Sequence, residues 1–211
     1  MDVTRIADGF WRWTGFHPEW KQVVGCLYVE TDDAIVLVDP LVPPEAPKRF
    51  WKALERDVKR SGLPVHVLIT VFWHARSARE IRDRLGARVW TTSRARRAIE
   101  RRAPVTDTLP IGRELPGGFE AVPTARGADR AVAAGPPIAR DGDVLLGASE
   151  RRPRLGLCPA GWLPSGRTLD DLRASLAPLL DRRIERILVS HGQPVLARGR
   201  DALRRAIAPA P

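Results

Sequence analysis

The feature that most constrains the fold is a regular alternation of short apolar runs with amphipathic segments over residues 34–102. Apolar runs of strand length fall at 34–38, 65–70 and 88–92. Between the first two runs, Phe50, Trp51, Leu54 and Val58 recur every three to four residues, as on one face of a helix. The strand–helix–strand–helix order predicts parallel strands joined by right-handed crossovers.

Residue types at the ends of these segments predict where helices begin and end. Gly62 and Gly86 follow the first two helices, because glycine accepts the left-handed backbone found after a helix C-terminus. Ser77 followed by Glu80 is a capping-box pattern for the start of the second helix. Ser93 is predicted to cap a third, arginine-rich helix.

The remainder of the chain predicts further strands and one more amphipathic helix. Thr168 is predicted to cap that helix, whose inward face is rich in leucine. Strand signals fall at 23–30, 119–123, 131–134, 142–147 and 187–189. The first of these is predicted to form a hairpin with the buried strand at 34–38. This pattern predicts an α/β protein with a sheet-on-sheet core and helices packed outside it.

Four motifs stand in a fixed order along the chain. They are strands at 9–40 that end in Asp39-Pro40, then Leu68-Ile69-Thr70, then Gly142-Asp143-Val144-Leu145, and a last strand that ends in Ser190-His191-Gly192-Gln193-Pro194. In this order, over about residues 6–196, they resemble the metallo-β-lactamase superfamily.

The resemblance implies a fold and the position of a site. It implies a four-layer αβ/βα sandwich, with two mixed β-sheets and helices on the outer faces. We expect a single domain over 1–211, with its core at about 6–196 and a basic C-terminal tail at 197–211. In the family the cleft between the sheet edges holds one or two zinc, iron or manganese ions, which polarise the substrate and generate a hydroxide.

The metal-binding motif of that family, HxHxDH after a threonine, is degenerate in this sequence. Aligned without gaps after Thr70, its ligand positions are Val71, Trp73, Ala75 and Arg76, none of which can ligate a cation. One inserted residue places His74 at the second histidine and recovers one ligand. The stretch at 122–128, which matches the segment of the family's middle histidine, contains no histidine. Asp143 and His191 remain as ligand positions.

These substitutions predict that no metal is bound. A catalytic zinc needs about three protein ligands, and Asp143 with His191 supplies two. Arg76 in place of a ligand adds repulsion on the order of a few kcal/mol at ~4 Å. Asp143 and His191 are therefore the candidate catalytic residues, although Gly192 after His191 is also explained by a tight turn. Arg76, His74, Asp143 and His191 are the candidate ligand-binding residues.

Three functions compete on these grounds. The first is a metal-free protein that binds an anionic small molecule, because Arg76 and Arg79 flank the N-terminus of the helix after Ser77. In this interpretation Arg76 could instead pair with Asp143 and plug the cleft. The second is an active hydrolase with atypical zinc, iron or manganese ligands, acting on thioester, phosphodiester or lactone-like substrates.

The third function, nucleic-acid binding, rests on charge. The formal net charge is +10, and residues 76–102 contribute +7 of it, from ten arginines against three acids. Arginine outnumbers lysine by 31 to 4, a bias that a GC-rich genome produces without selection for binding. No aromatic residues alternate with these arginines and no nucleic-acid motif is present, so this function ranks third.

The remaining residues predict an ordinary cytoplasmic protein. No apolar run is long enough for a membrane span, and residues 1–5 do not resemble a secretory signal. Cys26 and Cys158 are expected to be buried, reduced thiols. His66 is predicted to lie on a sheet face, His17 in an aromatic loop that could contact a ligand, and His74 in an exposed loop. Most of the seven tryptophans are expected in the core.

Overall fold

The computed structural model describes residues 1–110, 112–124, 127–135, 138–140 and 143–209. The chain forms two compact units, Met1–Leu109 and Pro110–Pro211. No helix in the described part of the chain is long and apolar enough to cross a membrane.

The first unit is built on a seven-stranded mixed sheet whose strands follow one another in chain order. The strands are β1 (Val3–Ala7), β2 (Phe10–His17), β3 (Gln22–Glu30), β4 (Ile35–Val38), β5 (Val65–Leu68), β6 (Arg88–Thr91) and β7 (Asp107–Thr108). Strands β1 to β4 pair antiparallel, and β4 to β7 pair parallel. The predicted hairpin and the predicted parallel alternation are both confirmed.

Three helices connect the parallel strands: α1 (Pro47–Ser61), α2 (Ala78–Leu85) and α3 (Arg96–Glu100). Helix α1 buries Phe50, Trp51 and Leu54, as its apolar spacing predicts. These side chains share one core with the strand residues Ile35 and Leu37. Each large apolar side chain buried in this way contributes about 1.5–3 kcal/mol to stability.

The predicted helix ends are confirmed and two of the predicted caps are wrong. Gly62 and Gly86 end α1 and α2 with φ of 67°. The Ser77 hydroxyl makes no cap, because it accepts from the backbone N–H of Val42 at 2.9 Å. Ser93 does not cap α3, which begins after Ala95.

The second unit contains a five-stranded sheet and a separate two-stranded ribbon. The sheet strands are β8 (Glu114–Leu115), β9 (Phe119–Thr124), β10 (Gly127–Gly135), β11 (Ile138–Arg140) and, later in the chain, β14 (Arg186–Leu188); the ribbon is β12 (Leu145–Leu146) with β13 (Gly156–Leu157). Strands β11 and β14 pair parallel, and the other pairs are antiparallel. The strand predicted at 142–147 is confirmed only for β12, and Gly142 lies outside the described residues.

Two helices complete this unit: α4 (Leu169–Leu176) and α5 (Gly199–Ile207). Thr168 caps α4 as predicted, through a capping box with Asp171. Leu172 and Leu176 of α4 and Leu203 of α5 belong to one buried cluster. The segment expected as a basic helical tail is helical, and its helix packs into the core of this unit.

Candidate functional site

In the first unit, the candidate site is built around the carboxylate of Asp39. Asp39 follows β4, and Thr70 lies just after β5, the parallel neighbour of β4. Parallel strands bring the residues beyond their carboxyl ends together, which is where α/β proteins commonly place ligand sites. The Asp39 side chain is fully buried and accepts hydrogen bonds from the Thr70 backbone N–H at 2.8 Å and the Thr70 hydroxyl at 2.7 Å.

His74 is the third partner of this carboxylate. It lies in a 3-10 turn, Phe72–Ala75, and its Nδ1 is 3.0 Å from Oδ2 of Asp39. This distance is that of an ion pair, and it places the imidazole ring against the carboxylate. Metal-binding histidines are commonly oriented in this way by a carboxylate. His74 has no exposed surface, so the predicted exposed loop position is wrong.

Arg76 folds back onto its own unit. Its Nη1 donates to the backbone carbonyl of Asp39 at 2.8 Å and lies 3.9 Å from Sγ of Cys26. Its guanidinium carbon is 5.3 Å from the ring centroid of Trp20, a cation–π distance. Nε and Nη2 of Arg76 are buried and make no hydrogen bond within the described part of the chain. Pairing of Arg76 with Asp143, which belongs to the second unit, stays a prediction.

His17 lies at the edge of this group. It is the last residue of β2 and is buried, so its predicted position in a loop is wrong. Its ring stacks on Trp20 at 4.0 Å, and its Nδ1 accepts from the Trp20 backbone N–H at 3.4 Å. Burial, together with the nearby charge of Arg76, lowers the pKa of His17. The imidazole is therefore neutral at pH 7.

In the second unit, the structure brings together the two predicted ligand positions, Asp143 and His191. Nε2 of His191 lies 3.7 Å from Oδ1 of Asp143, whose side chain is almost fully buried. The half-exposed indole of Trp162 meets the His191 ring edge-on, with 6.4 Å between centroids. This pair offers one imidazole and one carboxylate to a ligand or a metal ion.

The backbone explains the glycine after His191. Gly192 has φ of 86°, and a Cβ there would lie 2.7 Å from the Gly147 carbonyl oxygen. The Gly147 N–H donates to the His191 carbonyl at 2.9 Å, which ties the two segments together. The turn thus requires Gly192, whereas the His191 side chain belongs to the site with Asp143.

Four residues of these sites were not identified from the sequence as site residues: Asp39, Thr70, Trp20 and Trp162. Asp39 and Thr70 carried a usable signal, because both follow strands of a predicted parallel pair. Trp20 also carried a signal, because it lies three residues after His17 in the predicted aromatic loop. Trp162 gave none, since its proximity to His191 depends on chain segments that sequence spacing does not relate. The stretch searched for a middle histidine includes Ala125 and Arg126, which lie outside the described residues.

His66 was predicted to lie on a sheet face, and the arginine-rich stretch to form a positively charged surface. His66 is a buried residue of β5, and its Nδ1 accepts a hydrogen bond from the Trp90 indole N–H at 2.9 Å, which confirms its place on the sheet. Within the described residues, the structure pairs arginines of residues 76–102 with acidic side chains as Arg82–Asp83, Arg84–Glu55, Arg88–Asp107 and Arg96–Glu100. These pairs absorb part of the local positive charge.

Comparison with known proteins gives the fold. No family model and no curated protein matches the chain. It is similar to the solved structure of DIM-1 metallo-β-lactamase, with TM-score 0.70, 16% identity and 97% of each chain covered. A metallo-β-lactamase from Pontibacter korlensis matches with TM-score 0.69 and 19% identity over 96% of this chain and 98% of its own.

A third solved structure agrees with these two. The metallo-β-lactamase FIM-1 from Pseudomonas aeruginosa, in its mono-zinc form, matches with TM-score 0.69 and 15% identity over 99% of this chain and 96% of its own. The chain therefore has the metallo-β-lactamase fold, as its ordered motifs predict. Identities this low establish the fold and leave activity to be argued from the residues.

Proposed function

We propose that this chain is a hydrolase of the metallo-β-lactamase fold that works with a single metal ion. The observation that carries the proposal is the burial of His74 with its Nδ1 at the Asp39 carboxylate, 3.0 Å away. Sequence analysis ranks a metal-free protein first. A buried histidine oriented by a carboxylate reverses that order, because this arrangement is typical of a metal ligand.

The donor set fits one ion and not two. Between residues 71 and 76, His74 is the one side chain with a metal-ligand atom. Val71 and Ala75 are fully buried hydrophobic side chains, and Arg76 is a permanent cation. We propose His74 as a metal ligand in the first unit, and Asp143 with His191 as metal ligands in the second unit.

Imidazole and carboxylate ligands are suited to zinc, iron or manganese. A bound ion of this kind polarises a carbonyl or phosphoryl group and activates water for hydrolysis. Asp39 then holds the His74 ring in place, and Trp162 beside His191 offers an apolar surface to the substrate. The substrates we propose are thioesters, phosphodiesters or lactone-like esters. The solved mono-zinc form of FIM-1 supports the idea that this fold accommodates a single ion.

Metal content tests the proposal directly. Protein purified without chelators is expected to contain up to about one equivalent of zinc, iron or manganese by plasma mass spectrometry. His74→Ala, Asp143→Ala and His191→Ala should each lower that content, whereas His66→Gln, which alters a buried histidine bonded to Trp90, should not. Two equivalents, or none after incubation with zinc, would contradict the proposal.

A second candidate function is the binding of a small anion by the metal-free protein. The observation that favours it is that Nε and Nη2 of Arg76 are buried without a hydrogen-bond acceptor in the described part of the chain. Such unsatisfied groups cost about 1–3 kcal/mol each, and an anion that accepted both hydrogens would remove that cost.

Calorimetric titration with inorganic phosphate tests this candidate. In metal-depleted protein, Arg76→Ala should weaken phosphate binding by about tenfold or more, since a charge-assisted bond is worth about 1.5–3 kcal/mol. Arg82→Ala, in the same helix region and paired with Asp83, is the matched control and should leave it unchanged. Equal affinity of the Arg76→Ala variant and the unmodified protein would exclude Arg76 as the anion-binding group.

A further inference from the structure

The first unit contains a cavity that shares no residue with the Asp39–His74 site. Its volume is about 400 Å³, and its walls come from β2, β3, β4 and α1. The principal wall residues are Trp11, Trp13, Tyr28, Leu37, Phe50 and Leu54. Small-molecule sites usually enclose about 300–1,000 Å³, so the cavity is large enough for a ligand of ordinary size.

The walls are aromatic and held in place by contacts with one another. Trp11 meets Tyr28 edge-on at 5.4 Å, and Trp13 lies 5.5 Å from Phe50. The Trp13 indole N–H donates to the Leu41 carbonyl at 2.9 Å, so this side chain presents carbon atoms to the cavity. Rings fixed in this manner bind another flat apolar group at little entropic cost.

The charged groups at the cavity are matched with one another. Nη2 of Arg60 lies 2.7 Å and 2.5 Å from the two carboxylate oxygens of Glu30. The Tyr28 hydroxyl donates to the same carboxylate at 2.7 Å, and Arg56 pairs with Asp57 at 3.0 Å. Two cations and two anions thus offset one another. A charged ligand would find no uncompensated partner here and would lose hydration on entering.

We propose that this cavity binds an uncharged, largely aromatic small molecule, independently of any metal ion. The aromatic walls supply the attraction, the matched charges exclude ionic ligands, and the volume sets the size. Val3 of the edge strand β1 also lines the cavity and is half exposed, so a ligand has access from solvent beside β1.

The neutral fluorescent probe 1-N-phenylnaphthylamine tests the proposal on the intact protein. Its emission should rise on binding in a saturable titration, both before and after metal removal with a chelator. Ala53 lines the cavity on α1, so Ala53→Trp should fill it and weaken probe binding by at least about tenfold. Lys59→Trp adds the same group to the exposed face of the same helix and should leave binding unchanged.

Ala53→Met makes a smaller addition at the same position and is used if Ala53→Trp does not fold. Urea unfolding of each variant shows which proteins are native. Absence of saturable probe binding by the unmodified protein would overturn the proposal. Unchanged affinity in a folded Ala53 variant, equal weakening by Lys59→Trp, or stronger binding of an anionic naphthalene sulfonate probe would do the same.

Discussion

A single carboxylate, that of Asp39, connects two parallel strands to the proposed metal ligand. It accepts two hydrogen bonds from Thr70 and contacts His74, all without exposure to solvent. A buried carboxylate is stable only when its oxygens have such partners, since the cost of removing a charge from water is large. The same contacts that satisfy Asp39 therefore position His74.

Replacement of Asp39 should lower the stability of the folded protein. Asp39→Ala leaves the Thr70 N–H and hydroxyl without their acceptor, and we expect the free energy of unfolding to fall by about 3 kcal/mol. Urea denaturation followed by tryptophan fluorescence measures the change. Asp8→Ala removes a carboxylate that is 97% exposed and should change stability by less than about 0.5 kcal/mol. Similar losses in both variants would show that the Asp39 contacts contribute little.

Two histidines should make the protein less stable in mild acid. Burial lowers the pKa of His66 and of His17 below the ordinary value of 6.5, with further contributions from Arg88 and Arg76 respectively. At pH values well above 6.5 both rings are neutral in the folded and unfolded chains, so they do not affect stability. Below it the unfolded chain binds protons that the folded chain does not, and stability falls.

The expected slope is at most about 1.4 kcal/mol per pH unit for each histidine. Urea midpoints measured between pH 8 and pH 5.5 should fall, and the fall should be smaller in His66→Gln, which cannot titrate. His66 accepts the Trp90 indole hydrogen at Nδ1, a bond that protonation would break. A midpoint that stays constant over this pH range would contradict the predicted effect.

At the level of single residues, the sequence indicated which side chains could act as ligands better than it indicated how buried those side chains are. Asp143 and His191 were identified from motif order, and the structure places them 3.7 Å apart. The burial of His74 was missed, because residues 71–76 lack the periodicity from which burial is inferred and the ring is placed by contacts such as those with Asp39 and Trp20. Long-range polar contacts of this kind have no signature in local spacing.

Among the elements, strands and helix C-termini were predicted well, and helix N-termini less so. Ser77 and Glu80 match the capping-box pattern, but Val42 donates to Ser77 and the Trp51 indole donates to Glu80. Both side chains thus form hydrogen bonds with partners from other segments and do not cap the helix. The equivalent groups at Thr168 are exposed, bond to Asp171, and form the box that the sequence predicts.

This difference can be measured at α4. Thr168→Ala removes the acceptor for the Asp171 N–H and should lower the free energy of unfolding by about 1 kcal/mol, while Thr168→Ser should retain most of the stability. The neighbouring Arg167→Ala is the control and should have little effect, because its side chain is exposed. A loss in the serine variant equal to that in the alanine variant would argue against the cap.

At the scale of the whole molecule, the protein carries a net charge of +10. Exposed ion pairs contribute little to stability, at most about 1 kcal/mol each, so the paired arginines need not reflect selection for a stable fold. Arg94, Arg97 and Arg101 are exposed and lie close together in sequence around α3. They are the natural contact points for a polyanion.

We expect nucleic-acid binding by this surface to be non-specific. Fluorescence anisotropy with a labelled single-stranded DNA should show weak binding at 50 mM salt that falls by about tenfold or more at 200 mM. Replacing Arg94, Arg97 and Arg101 together with alanine should weaken binding of unrelated sequences equally. Tight binding at physiological salt that this triple variant abolished would instead favour a nucleic-acid function.

The two cysteines give each unit its own reporter of opening. Cys26 lies in the buried cluster of the first unit and Cys158 in that of the second. A bulky maleimide can modify a shielded thiol only after the surrounding structure opens, so its labelling rate follows local unfolding. Peptide mass spectrometry of samples taken at intervals would therefore measure the labelling rate of each cysteine, and so the rate at which each unit opens, without any engineered label. Equal rates would indicate that the chain opens as one cooperative body, and unequal rates that one unit opens while the other stays closed.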